Sequence, residues 1–236
     1  MHRRQFHHAT AAALWGAWAL ATPATAQSSL TLASLTSAEA SRGVKAALTQ
    51  GAQAAVQLLG RTDGFLGNPR VRIGLPGYLE DAGKVLRSMG QGRRVDELVT
   101  AMNRAAEAAV PLGKDLLVQA VQTMTVTDAK NILTGGSTSV TAFFAEKTRA
   151  ALAERFLPVV QQATDQVGLA ARYNAVAGKA ASFGLLRPEE SNVAQYVTGK
   201  TLDGLYTIIG EEERRIRQNP AGAGSDILRR VFGVLR

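Results

Sequence analysis

The chain has 236 residues, with 27 Lys and Arg against 19 Asp and Glu, 46% hydrophobic side chains, three His and no Cys. That length allows one generous domain or two small ones. Without Cys there is no disulfide and no thiolate chemistry, so stability has to come from packing.

The first 26 residues have the layout of an export signal. Met1 to His8 is basic, with Arg3 and Arg4; Ala9 to Ala21 is apolar; Pro23-Ala24-Thr25-Ala26 ends in the small-x-small pattern of a signal peptidase site. The apolar core is too short for a permanent membrane helix. The layout predicts a soluble periplasmic protein, cleaved after Ala26, that begins at Gln27 and forms one domain over 27–236. No Cys follows the cleavage position, which excludes a lipoprotein. Arg3-Arg4-Gln5-Phe6 fits two routes, an ordinary secretory signal or a twin-arginine signal that exports folded protein.

Cleavage would remove every imidazole, because His2, His7 and His8 all lie in the leader, as do Trp15 and Trp18. The remaining chain lacks the usual ligands of zinc, copper and haem and the usual bases of hydrolases. No metal or cofactor is expected, and catalysis would have to run on carboxylates, Lys, Tyr or Ser. The leader holds two of the 27 basic residues and none of the 19 acids, leaving a mature chain of net charge +6. This excess is interleaved with acids, as in Glu211-Glu212-Glu213-Arg214-Arg215, so the sequence predicts no nucleic-acid partner.

In chain order, Ser37 is placed to cap a first helix over 38–59, with an apolar stripe through Val44, Leu48, Ala52, Ala55 and Leu59, ended by Gly60. Residues 63–76, DGFLGNPRVRIGLP, break the helical pattern. Asp63-Gly64 and Gly67-Asn68-Pro69 are turn formers, and Arg70-Val71-Arg72-Ile73 alternates. This reads as a structured crossover pinned by Phe65, Leu66, Val71, Ile73 and Leu75. A second helix spans 77–89, Gly90-Gln91-Gly92 turns the chain into a helical hairpin, and a third helix spans 93–110.

At about 100° per residue, Val95, Leu98, Val99, Met102, Ala106, Ala109 and Val110 of that third helix share one arc. Asp96, Glu97, Thr100, Asn103, Arg104 and Glu107 share the other, which is either a solvated face or a surface lining a cleft against another element.

Pro111 opens a fourth helix reaching Met124, and Thr127 caps a short one to Leu133 with Asp128 in its first turn. Gly135-Gly136-Ser137-Thr138-Ser139 either links and caps helices or offers free N–H groups to an anion. Ser137 starts a long helix to Val167 that Pro158 should kink or split. Lys147 and Glu154 fall on its apolar side with Val140, Phe143, Phe144 and Ala151, where they either reach to the edge or meet partners from another helix.

Another helix spans 169–183, and a stretch opened by Pro188 breaks near Asn192 and runs on to Gln218. Within it, Thr198-Gly199-Lys200-Thr201 matches the end of a phosphate-binding loop by chance, since position 194 is Ala and no strand precedes it. Ser225 caps a last helix to Leu235, which either docks on the bundle or makes weak contact with an anionic membrane surface through 225–236. The whole predicts an all-α, single-domain bundle of eight to ten helices with one structured crossover.

DGFLGNPRVRIGLP, then VDELVTAMNRAAEAAVP, DAKNILTGG and FLPVV followed by VGLAARYNAVAGKA, occur in the order found in the exported bacterial family known as domain of unknown function 4197, which the chain resembles from Leu30 to Leu235. The family's usual insert ends in Ile-Pro-Leu-Pro; here Gly74 follows Ile73, so one stiffening ring is missing. The resemblance implies export and brings no activity, cofactor or catalytic residue with it.

The residues therefore point first to a non-catalytic helical protein binding an envelope partner or a small apolar or amphiphilic ligand. Asp63, Phe65, Asn68, Asn103, Arg104, Glu107, Lys147 and Glu154 are the candidate contacts. A carboxylate-dependent enzyme acting on envelope glycan through acids such as Asp63, Glu107 and Asp128, or a peripheral envelope scaffold, are the alternatives.

Overall fold

A computed structural model describes residues 37–136, 138–166, 168–182 and 192–219, with the single positions 222, 226, 227 and 229. Helix dominates, and no strand occurs among the described residues. The leader, the lead-in before Ser37, the expected cap at Ser137 and most of the expected last helix lie outside them.

The order is α1 (Ser37–Leu59), the crossover, α2 (Gly77–Leu86), α3 (Gly92–Ala109), α4 (Lys114–Gln122), α5 (Val126–Thr134), α6 (Ser139–Asp165), α7 (Gly168–Ser182) and α8 (Val193–Gln218). A kink within Arg87–Gln91 joins α2 to α3, with Gly90 at φ 77°, a left-handed conformation suited to a residue without Cβ. The expected fourth helix is preceded by a 3₁₀ turn, Val110–Gly113, in which Pro111 has no N–H to continue the α3 hydrogen-bond ladder.

One cap differs from expectation, and one helix begins at the expected break. Thr125, not Thr127, starts α5: its Oγ1 accepts the Asp128 N–H while Asp128 Oδ2 accepts the Thr125 N–H, a reciprocal capping box. The Thr125 N–H, and then the Thr125 hydroxyl, both donating to Asp128 Oδ2, hold that carboxyl below its ordinary range. Asn192 caps α8 where a break was expected, its Oδ1 accepting from the N–H groups of Ala194 and Gln195. Pro158 lies within α6 without splitting it.

The packing centres on α8, whose buried residues occupy most of its circumference from Val193 to Ile216. It lies against α1 and α6, and α6 also lies against α3. The α6 stripe advances in steps of four through Phe144, Thr148, Leu152, Phe156, Val160 and Thr164. Lys147, Ala151 and Glu154 fall outside that stripe and are exposed, which corrects their placement on the apolar side. Inside, Thr148 Oγ1 and the Tyr206 hydroxyl form a 2.9 Å hydrogen bond between α6 and α8, and burial raises the Tyr206 phenol above its ordinary value.

Buried threonines on these helices satisfy their hydroxyls on the carbonyl four residues back: Thr148 on Phe144, Thr164 on Val160, Thr201 on Val197. Thr198 does not; its Oγ1 is buried without a hydrogen-bond partner. An unpaired buried hydroxyl costs stability, and an isosteric methyl removes that cost. Thr198→Val is therefore expected to raise the unfolding free energy by about 1 kcal/mol in urea titration, whereas Thr201→Val gives no such gain.

Candidate functional site

The crossover leaves α1 at Gly60, whose N–H still reaches the Val56 carbonyl at 2.9 Å. Asp63 then adopts φ 64°, the left-handed region that Asp tolerates better than most side chains. At Gly64 a Cβ would sit 2.4 Å from the Leu59 carbonyl oxygen, so only glycine fits. Asn68 organises the next turn: its Oδ1 accepts the Arg70 N–H, and its carbonyl accepts those of Val71 and Arg72. Phe65, Val71 and Ile73 are buried while Arg70 and Arg72 face solvent, so the expected alternation is realised without a sheet partner.

A non-helical segment in such a position needs partners for its backbone. These come from the polar arc of α3. Glu107 Oε1 accepts the N–H groups of Phe65 and Leu66 at 3.0 and 3.1 Å. Asn103 grips Ile73 at both ends, its Oδ1 accepting the N–H at 2.9 Å and its Nδ2 donating to the carbonyl at 2.8 Å, as a neighbouring strand would. Nδ2 also donates to the Val99 carbonyl of its own helix. Asn103 is 0% and Glu107 4% exposed. The arc is therefore divided: Asp96, Glu97 and Thr100 are solvated, and the crossover covers the rest.

Arg104 closes the arrangement at its edge. One guanidinium nitrogen donates to Glu107 Oε2 at 2.6 Å and the other to Asp63 Oδ1 at 2.8 Å. Glu107 first, then Asp63, raises its pKa still further, so it stays cationic. Six of the sequence-derived candidates, Asp63, Phe65, Asn68, Asn103, Arg104 and Glu107, are thus brought together around the crossover. Lys147 and Glu154 are not among them; Lys147 pairs with Glu146 at 2.8 Å on the open face of α6, and that pairing raises its pKa.

On its other side the crossover meets α8. Gly204 makes the approach: a Cβ there would lie 2.9 Å from the Phe65 ring and 3.2 Å from Val71 Cβ. The Tyr196 hydroxyl donates to the Gly74 carbonyl at 3.1 Å. Between the two walls lies an open groove of about 290 Å³, lined by Arg70 to Gly74 and by Tyr196, Lys200, Asp203, Gly204 and Thr207. Its exposed lining is mostly polar: Val71 and Ile73 are buried in its wall, and Arg70, Arg72, Lys200 and Asp203 carry its charges. Arg70 is paired with Glu211 and Asp203 with Arg149. Tyr196 and Lys200 were not among the candidates: nothing local in α8 marks which of its faces the crossover, more than a hundred residues earlier, will meet.

The acids of the enzymatic alternative are otherwise engaged. Glu107 is committed to two backbone N–H groups and Arg104, Asp63 to Arg104, and Asp128 to the α5 cap. Among the described residues no cluster of acids is disposed to hold a metal ion, and no helix is long and apolar enough to cross a membrane.

Removing either α3 side chain would strand buried backbone groups. Glu107→Ala and Asn103→Ala are each expected to lower the unfolding free energy by about 3 kcal/mol. Arg104→Ala, at the half-exposed edge, should cost much less. Denaturant titration of the three variants checks this order.

Neither the curated proteins nor the solved structures gave a match. A family model does match, over residues 34–233, a span that includes the crossover and α3. The chain therefore belongs to the family described as protein of unknown function (DUF4197).

Proposed function

We propose that the chain is a non-catalytic exported binding protein, a single α-helical domain acting in the periplasm after loss of residues 1–26, and that the groove between the crossover and α8 is where it binds a small amphiphilic ligand or a partner segment. The observation that carries this reading is the fixed wall. Residues 70–74 are held from behind by Asn103 and from the front by Tyr196, so the groove exists before anything enters it, which reduces the entropic cost of binding. A mostly polar, charged lining suits the polar head of an amphiphile. Export is supported by the three-part leader.

Gly74 lies on the groove, and a Cβ there meets nothing within 4 Å. Gly74→Trp should fill the groove without disturbing the core. Native mass spectrometry of protein purified from the periplasm is expected to show a chain starting at Gln27 with a retained mass that the Gly74→Trp protein lacks. A wild-type chain that flies bare, or an adduct kept by the variant, contradicts the reading.

A further inference from the structure

We propose that the groove between residues 70–74 and α8 recognises a phosphate monoester, with Arg72 and Lys200 as its two charged contacts; this rests on the groove being the binding site. Arg70, Arg72 and Lys200 line the groove with a single acid, Asp203. Arg70 is neutralised by Glu211, and Asp203 by Arg149, which comes from α6 and also lies 5.5 Å over the Tyr206 ring. Arg72 and Lys200 make no ion pair among the described residues, so two positive charges remain uncompensated. They rise from opposite walls, Arg72 from the crossover and Lys200 from α8.

A monoester carries nearly two negative charges at neutral pH and has three acceptor oxygens, enough for both walls at once. A single carboxylate would satisfy one planar guanidinium and leave the ammonium unmatched. The backbone from which Arg72 projects is fixed by its N–H on the Asn68 carbonyl and by the Asn103 grip on Ile73, and the Lys200 ammonium lies 5.8 Å over the Tyr196 ring. Lys200 acts here from the interior of a helix, so the resemblance of its surroundings to a phosphate-binding loop plays no part.

The phosphate could belong to a soluble ester or to a lipid headgroup. Glycerol phosphate titrated into isotope-labelled full-length mature protein is expected to shift the amides of Arg72, Ile73, Gly74 and Lys200 to saturation, with succinate much weaker. Flotation with phosphatidylcholine vesicles containing phosphatidic acid, against plain phosphatidylcholine, identifies a lipid source if only the former carries the protein. In either arm Arg72→Gln and Lys200→Gln should each weaken binding about tenfold at unchanged melting temperature. The proposal is overturned if neither probe binds, if succinate binds as well as the ester, or if binding survives both substitutions. If it is overturned while an adduct sensitive to Gly74→Trp persists, the groove still binds, but something of other chemistry.

Discussion

The carboxylate of Glu107 under the N–H groups of Phe65 and Leu66 is the contact on which the rest of the structure depends. A chain that leaves helix inside a packed protein must find new partners for its backbone or forfeit the free energy of each buried, unpaired group. Here α3 supplies them. Glu107 holds the start of the crossover and Asn103 its end, so one helix fixes both entry and exit of a segment that has no hydrogen-bonded regularity of its own. Arg104 keeps the Glu107 charge matched at the water's edge while leaving two backbone donors to the buried oxygen.

With its backbone held on α3, the crossover can turn its apolar side chains toward α8. Phe65 and Val71 seat over Gly204, where any side chain would press into them, and Tyr196 ties the far end through the Gly74 carbonyl. The groove follows from this geometry. The buried residues of 63–76 fasten the segment, and the alternation that sends Val71 and Ile73 inward sends Arg70 and Arg72 to the rim. The same polar residues that looked like a site in the sequence are thus behind the wall, and the solvent-facing residues between the anchors make the surface.

The legibility of the fold was uneven for physical reasons. Helices ended by Gly or Pro, and the crossover with its apolar anchors, could be read because turn chemistry and periodicity are local. The polar arc of α3 could be seen, but not that Asn103 and Glu107 would be covered while Asp96 and Glu97 stayed wet, since that depends on which segment packs there. Thr125 and Thr127 are equally good caps by type; the reciprocal bond with Asp128 favours the one three residues before it. Lys147 and Glu154 share a side of α6 with Phe143 and Ala151 by spacing, whereas the buried stripe follows steps of four along a helix that meets several neighbours. The family motif order was visible in the residues themselves, and the match over residues 34–233 agrees with it.

Hydrogen exchange at the amides of Phe65, Leu66 and Ile73 tests the clamp most directly. If Glu107 and Asn103 hold the crossover, these amides exchange only when the whole molecule unfolds, at the rate of core amides in α3 such as that of Met102. Exchange at the rate of exposed loop amides would show that the segment opens on its own, and would contradict the dependence of the groove on α3.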